Sequence, residues 1–178
     1  MTAKVETHLF GSFVPPGAKY LILGSFTTKE AVDEEKKAAY VWFYANGGRN
    51  QFWPILEELY GRKLRTRQEM EELLMALKMA VADIIYQCER KKDSNLDMNL
   101  VNIIYAIEDI AKILKNNQII RIFFTSRFVE QKFKRHFKSL VEQFPNIELV
   151  TLPSPSPRFA AMRKEEKIKR YKEELPQL

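Results

Sequence analysis

Short apolar runs alternate along this chain with longer segments in which apolar residues recur every three or four positions. The runs at 19–25, 121–125 and 147–152 have the length of buried strands, and the run at 81–86 is a weaker candidate. The first run follows the turn signal Pro15-Pro16-Gly17 and ends at a glycine loop. Strands separated by helical segments predict an α/β fold, a three-layer α/β/α sandwich with a short parallel central sheet.

The longer segments have the periodicity of amphipathic helices. Thr66 and Glu69 form a capping box, which predicts the start of one helix. Pro145 cannot continue a helix interior, so another predicted helix ends just before it. The predicted helices run from Thr66 to Leu77, from Ile103 to Asn116-Asn117, from Val129 to Phe144 and from about Met162 to Leu175.

Two polar segments are predicted to lie at the carboxyl ends of the strands, where ligands bind to parallel sheets. One is the amide loop, residues 43–53, with the sequence Phe43-Tyr44-Ala45-Asn46-Gly47-Gly48-Arg49-Asn50-Gln51-Phe52-Trp53. The other is the Ser-Pro loop, residues 152–158, with the sequence Leu152-Pro153-Ser154-Pro155-Ser156-Pro157-Arg158. Residues 24–28 after the first strand form the glycine loop.

Both segments allow a functional and a plain structural interpretation. Tyr44, Phe52 and Trp53 surround Asn50, and an amide beside a base-sized aromatic pocket suits a flipped nucleotide. In the plain interpretation, Phe52 and Trp53 are core residues ahead of a helix that opens at Pro54, and residues 46–48 form an ordinary turn. The Ser-Pro loop is in isolation also typical of a proline-stiffened surface turn.

Composition narrows the class of protein. The 178 residues suit a single domain, 1–178, and 46% hydrophobic residues with 12% aromatics suffice for a sizeable core. There is no signal peptide and no apolar run near the ~18 residues of a membrane span, so we expect a cytoplasmic protein with no membrane partner. One cysteine, Cys88, and two histidines, His8 and His136, predict no disulfide, no metal site and no cysteine-ligated iron–sulfur cluster.

The net charge of +6 is concentrated towards the C-terminal half. Six cations face only Glu130 between residues 121 and 138, which favours polyanion binding but is equally typical of a solvated helix face. These cations are Arg121, Arg127, Lys132, Lys134, Arg135 and Lys138.

Five segments, in order, resemble the uracil-DNA glycosylase superfamily, closest to its hypoxanthine (deoxyinosine)-DNA glycosylase and mismatch-specific uracil-DNA glycosylase branch. The amide loop is similar to the Tyr-Tyr-Ala-His-Pro-Arg-Asn-x-Phe-Trp segment of that branch, and the Ser-Pro loop is similar to its Leu-Pro-Ser-Thr-Ser-Pro. The other matching segments are Leu21-Ile22-Leu23-Gly24-Ser25-Phe26, Asp83 with Cys88-Glu89-Arg90 and Ser94-x-Leu96-Asp97, and Ala160-Ala161-Met162 with Glu166-Lys167.

The resemblance implies a monofunctional, monomeric DNA glycosylase that hydrolyses the N-glycosidic bond of a deaminated base, hypoxanthine or uracil, without a cofactor. Its partner would be DNA, as a damaged or mismatched duplex or as a single strand. Asn50 would assist attack at the sugar carbon, and Tyr44 would stack on the flipped base. Gly24, Ser25 and Phe26 would bind the base edge, Ser154, Ser156 and Pro157 would contact the DNA, and Arg158 would enter the duplex where the base has left.

Three positions depart from the pattern of that branch. Thr27-Thr28 replaces Pro-Gly, the Asn46-Gly47-Gly48 stretch is one residue longer than the His-Pro it replaces, and Thr125-Ser126 stands where Asn-Gly is expected. These changes leave open a second hypothesis, a catalytically silent nucleic-acid-binding module of the same fold. An unrelated nucleotide binder is disfavoured, because the glycine loop has neither Gly-x-Gly-x-x-Gly nor a Walker lysine.

The remaining polar residues have weaker signals. Asp83 is either a general base or, as we favour, a structural carboxylate that caps a turn or pairs with a cation. Glu89 and Arg90 are adjacent in sequence and are interpreted as a pair, and Cys88 is interpreted as a packed small hydrophobe.

Overall fold

The structure is a computed structural model that describes residues 4–32, 40–46, 49–92 and 94–178. The altered Gly47-Gly48 segment of the amide loop lies outside the described residues. The strands are β1 (Val5–Thr7), β2 (Ser12–Phe13), β3 (Tyr20–Gly24), β4 (Tyr40–Trp42), β5 (Ala45–Asn46), β6 (Met79–Asp83), β7 (Ile85–Arg90), β8 (Leu100–Tyr105), β9 (Arg121–Phe124) and β10 (Glu148–Thr151). The helices are α1 (Phe52–Tyr60), α2 (Arg67–Ala76), α3 (Ile107–Asn116), α4 (Arg127–His136), α5 (Lys138–Gln143) and α6 (Lys164–Glu174), with 3₁₀ turns at Lys29–Val32 and Asp97–Asn99.

The central sheet has the strand order β10-β9-β3-β6-β2. Its first four strands are parallel and correspond to the four apolar runs, whereas β2 is an antiparallel edge strand of two residues. Along β3, Leu21 and Leu23 are buried on one face of the sheet and Ile22 on the other. Helices α3, α4 and α5 cover the first face and α1, α2 and α6 the second. The predicted three-layer sandwich is confirmed.

A second sheet, antiparallel and of order β1-β7-β8, corrects two predictions. The helix predicted from Ile103 begins only at Ile107, since Ile103 and Ile104 belong to β8 and pair with β7. Their burial alternates along the strand, with period two rather than 3.6. The run at 81–86 is also interrupted, because the chain leaves the central sheet at Asp83 and enters the second sheet at Ile85.

The predicted helix over 129–144 is two helices that meet at Phe137. The Phe137 ring is fully buried and stacks on Phe133 at 4.8 Å between ring centroids, so the bend keeps both rings in the core. The capping box at Thr66 is present with both of its hydrogen bonds, and α6 lies where the last helix was predicted.

The parallel strands end at one edge of the central sheet. Gly24 at the end of β3 is in register with Asp83, and Phe124 at the end of β9 is in register with Thr151. The segments that follow these strands therefore start side by side. None of the helices in the described part of the chain is long and apolar enough to cross a membrane.

Candidate functional site

A cleft of about 240 Å³ opens at this edge of the sheet. The glycine loop, the amide loop and the Ser-Pro loop all contribute to its wall, together with the segment before α4 and the turn before β8. The lining residues are Ser25, Phe26, Thr28, Tyr44, Arg49, Asn50, Asn95, Asp97, Thr125, Ser126, Ser154, Pro155, Ser156, Pro157 and Arg158.

The amide loop and the Ser-Pro loop are joined directly by a backbone hydrogen bond. The Gln51 N–H donates to the Pro155 carbonyl at 2.8 Å, about a hundred positions away in sequence. Asn50 directly precedes Gln51. Its Oδ1 accepts a hydrogen bond from the Phe52 N–H at 2.9 Å, which orients the carboxamide at the start of α1. In general, an amide oxygen has two lone pairs and can accept two hydrogen bonds.

A buried lysine forms hydrogen bonds to both of these loops. Lys167 Nζ donates to Gln51 Oε1 at 2.8 Å and to the Ser156 carbonyl at 3.2 Å, and the side chain is only 1% exposed. Burial lowers the pKa of this ammonium group. The sequence reasoning did not give Lys167 a role.

Helix α6 carries a second anchor for the Ser-Pro loop. The Tyr171 hydroxyl, fully buried one turn after Lys167, donates to the Pro153 carbonyl at 3.0 Å. Both side chains lie on the face of α6 that includes Ile168 and Leu175 and packs into the core. In the sequence, the signal for this role is a lysine that lies on the apolar face of a predicted helix, as Lys167 does on α6.

The serines of the Ser-Pro loop stabilise the loop through their own backbone. Ser154 Oγ accepts from the Ser156 N–H, and Ser156 Oγ accepts from the Arg158 N–H, each at 3.3 Å. In both bonds the hydroxyl oxygen is the acceptor, so each hydroxyl hydrogen can be donated to a ligand. Arg158 itself is exposed at the rim of the cleft, as is Arg49.

Gly24 is not among the residues that line the cleft, and its contact with the base stays a prediction. The Tyr44 hydroxyl donates to Asp83 Oδ1 at 3.3 Å directly against Gly24. A Cβ at Gly24 would overlap both of these oxygen atoms. Burial, and secondarily the charge of Asp83, raises the pKa of Tyr44. The Tyr44 backbone has a φ of 57°, an uncommon conformation for a residue with a side chain.

Asp83 is bonded on both of its oxygens. His8 Nδ1 accepts from the Phe10 N–H, so the ring proton is on Nε2, which donates to Asp83 Oδ2 at 2.7 Å. The other oxygen receives the Tyr44 hydroxyl. Asp83 does not line the cleft, and these bonds favour its structural interpretation over a general base.

Gly24→Ala is expected to destabilise the protein by about 1–3 kcal/mol, because the new methyl group must displace the packed Tyr44 and Asp83 side chains. Denaturant unfolding measures this loss. Gly61→Ala is the comparison variant for backbone strain alone: its φ of 61° strains an alanine by about 1–2 kcal/mol, but its Cβ would meet no other atom within 4 Å. Unchanged stability of the Gly24 variant would contradict this prediction and would show that the Tyr44 and Asp83 side chains can move aside without cost.

Arg90 supports the glycine loop from the second sheet. Its Nε donates to both Glu6 oxygens at 2.9 Å, and its Nη2 donates to the Thr27 carbonyl at 2.7 Å. The predicted pairing of Arg90 with Glu89 is wrong, because Arg90 pairs with buried Glu6 across the sheet while Glu89 accepts from Asn102. The Thr27-Thr28 segment that replaces Pro-Gly thus has its own support.

Asp97 and Thr28 also line the cleft, and neither was assigned a role from the sequence. Asp97 Oδ1 accepts from the Ser25 hydroxyl at 2.8 Å, and burial raises the pKa of this carboxyl group. The Thr27 and Thr28 hydroxyls are buried and have no hydrogen-bond partner within the described ranges. Of these two threonines, Thr28 lines the cleft.

A wider groove of about 720 Å³ continues from the cleft along the Ser-Pro loop and α4. Arg127, Arg158 and Arg170 line it. The carboxylates of Asp97 and Glu130 line it as well, and Arg170 pairs with Glu173 at 3.2 Å. Other members of the basic stretch are neutralised elsewhere, since Arg121 pairs with Glu148, and Lys134 with Glu130. In the part of the chain that is described, no group of three His, Cys, Asp or Glu side chains is placed to hold a metal ion.

No family model matches the chain, and no curated protein matches it. Among solved structures, it is similar to the solution NMR structure of a "putative Uracil DNA glycosylase" from Methanosarcina acetivorans, with a TM-score of 0.64 and 18% sequence identity. The similarity covers 96% of this chain and 98% of the other. This chain has the uracil-DNA glycosylase fold. At 18% identity the similarity establishes the fold and not the reaction.

On this uracil-DNA glycosylase fold, the predicted site residues other than Gly24 line one cleft. Asn50 and Tyr44 from the amide loop and Arg158 from the Ser-Pro loop all line it. The catalytic, base-binding and DNA-binding roles of these residues remain predictions.

Proposed function

We propose that this protein is a DNA glycosylase that hydrolyses the N-glycosidic bond of a deaminated base, hypoxanthine or uracil, flipped out of DNA. The observation that carries the proposal is the convergence of Asn50, Tyr44 and Arg158 on a single cleft. The cleft volume suits one nucleobase together with a water molecule. The fold agrees with this activity, and the solved structure that it resembles is described as a glycosylase.

In the proposed reaction, the oxygen of a water molecule attacks C1′ of the sugar while the bond from C1′ to the base nitrogen breaks. The bond electrons leave with the base, which takes up a proton, and the attacking water loses one. Asn50 Oδ1 accepts a hydrogen bond from this water and holds it on the attack line. Tyr44 supports the flipped base at the bottom of the cleft. Hypoxanthine and uracil leave readily because their carbonyl groups delocalise the negative charge.

The DNA contacts of the proposal come from the Ser-Pro loop and the groove beside it. The Ser154 and Ser156 hydroxyls donate to the phosphates around the flipped nucleotide. Arg158 fills the gap in the duplex, as its exposed position at the rim allows. Arg127 along the groove attracts the flanking backbone in a salt-dependent manner.

The test is base release from duplexes that contain deoxyinosine, deoxyuridine or a thymine mismatch, detected by alkaline cleavage of the abasic site. We expect release from the deoxyinosine or deoxyuridine duplex and none from the undamaged duplex. Well-folded protein that releases no base from any of these substrates defeats the enzymatic claim. Lesion DNA that is bound without turnover supports the silent binding module instead.

Arg158→Ala is expected to weaken binding of a lesion-containing duplex on the order of tenfold, the typical value of a specific contact inside the groove. Binding of the same lesion in a single strand should fall less, because a single strand has no gap to fill. Fluorescence anisotropy with both probes measures the difference. Arg62→Ala is the matched control, since Arg62 is exposed beyond the far end of α1. Equal losses for duplex and single strand would contradict the insertion of Arg158 into the duplex.

A further inference from the structure

Asp97 offers the cleft a hydrogen-bond acceptor that the proposed reaction does not use. The Ser25 hydroxyl donates to its Oδ1 at 2.8 Å and fixes the carboxyl group against the glycine loop. Within the described part of the chain, no hydrogen bond is made to the second oxygen, Oδ2. An ionised carboxylate can only accept hydrogen bonds, so this oxygen selects for a ligand that donates one.

Thr28 lines the same cleft and also borders a small cavity of about 60 Å³ next to it. Its Oγ1 is buried and has no partner among the described residues, and it lies three positions after Ser25 in the same short loop. A buried hydroxyl without a partner is unfavourable in the free protein. A ligand carbonyl that accepts its hydrogen would remove that cost.

Deaminated bases carry the edge that matches these two groups. Hypoxanthine and uracil both have a ring N–H, a donor, next to a carbonyl oxygen, an acceptor. Adenine and cytosine reverse this pattern, with a bare ring nitrogen next to an amino group. A carboxylate facing that bare ring nitrogen meets a lone pair instead of a hydrogen and repels it.

We propose that Asp97 and Thr28 recognise the lactam edge of the flipped base, with Asp97 accepting its ring N–H and Thr28 donating to its carbonyl oxygen. This inference rests on the proposed function, which it deepens by naming the residues that discriminate deaminated from normal bases. Ser25 is then a positioning residue, because its hydroxyl holds Asp97 in place. Recognition through side chains is also consistent with Gly24 not being among the residues that line the cleft.

The experiment measures equilibrium binding, independently of turnover. The probes are duplexes with one 2′-fluoro nucleotide, which resists hydrolysis, carrying hypoxanthine, uracil, adenine or cytosine at the same position. Asp97→Asn keeps an acceptor for Ser25 but presents an amide N–H to the base N–H. We expect it to lower the ratio of affinities, hypoxanthine over adenine and uracil over cytosine, by on the order of tenfold to a hundredfold.

Thr28→Val removes the hydroxyl without changing the shape of the side chain, and it should lower the same ratios by on the order of tenfold. Thr27→Val is the matched control. The Thr27 hydroxyl is also buried and unpartnered within the described ranges. Thr27 lines the small cavity that Thr28 also borders, but unlike Thr28 it does not line the cleft. Thr27→Val should leave both ratios unchanged, and neither valine variant should unfold at a lower temperature.

The outcomes separate this inference from the proposed function. Wild-type protein that turns over lesion DNA, with affinity ratios that Asp97→Asn and Thr28→Val leave unchanged, overturns the inference and leaves the glycosylase intact. A wild-type preference for deaminated bases that the Asp97 variant abolishes, without turnover by any protein, supports the inference and removes the enzymatic claim. Equal wild-type affinity for deaminated and normal bases overturns the inference whatever the turnover.

Discussion

Asn50→Ala is expected to lower the rate of base release by about 100- to 1000-fold, the usual cost of removing one preorganised polar group from a reaction centre. The carboxamide contributes by holding the attacking water, which interacts with the sugar most strongly as the base departs. Because this interaction develops in the transition state, binding of lesion DNA should be largely retained. Single-turnover base release and anisotropy measure the two quantities separately.

The controls for this variant follow from the bond between Asn50 and the backbone of Phe52. Asn50→Ser keeps a side-chain acceptor for the Phe52 N–H at the start of α1. A similar loss of rate in both variants would therefore show that the loss comes from the missing carboxamide and not from a disturbed helix start. Asn117→Ala removes an asparagine that bonds to the Ile113 carbonyl at the end of α3, and it should leave base release unchanged. Unchanged turnover and binding in the alanine variant of Asn50 would contradict the site.

Lys167→Met is expected to lower base release on the order of a hundredfold, since a shift of about 1 Å between catalytic groups is sufficient for such a loss. The variant leaves the Gln51 amide oxygen and the Ser156 carbonyl without their shared donor, so the amide loop and the Ser-Pro loop lose one of the bonds that set their spacing. Lys169→Met, on the exposed face of the same helix, is the matched control.

The pH dependence of stability distinguishes the buried lysine from an ordinary one. Burial lowers the pKa of Lys167 in the folded protein below its usual value of 10.5, so the unfolded chain binds this proton more tightly. The stability of wild type relative to Lys167→Met should therefore rise as the pH increases through the interval between the lowered pKa and that usual value. Denaturant unfolding at several pH values measures it, and a difference that stays flat over this interval would contradict the burial of the ammonium group.

The sequence predicted the parallel strands because each is a continuous apolar run, the pattern of a strand covered on both faces. It did not predict β7 and β8, where polar and apolar residues mix and where Ile103 and Ile104 fit a helical as well as a strand period. The capping box at Thr66 was predictable because both of its bonds lie within one turn. Strand pairs such as β1 with β7 depend on contacts between distant segments, which local patterns do not encode.

The site was predictable to the extent that its residues are adjacent in sequence. The two loops could be located from their composition and from the resemblance, but the groups that fix them could not. Lys167 bonds to a residue 116 positions away, and Arg90 bonds to Glu6 at a separation of 84. The sequence places Glu89 beside Arg90, yet successive residues of a strand point to opposite faces of the sheet, so the pairing is made with a partner on β1.

Helix α6 also determines when the site can be completed during biosynthesis. A nascent polypeptide that has emerged from the ribosome as far as Thr151 contains every strand of the central sheet. It does not yet contain Lys167 or Tyr171, which secure the segment between Pro153 and Ser156. The scaffold can therefore form while translation continues, whereas the cleft becomes rigid only after helix α6 has docked.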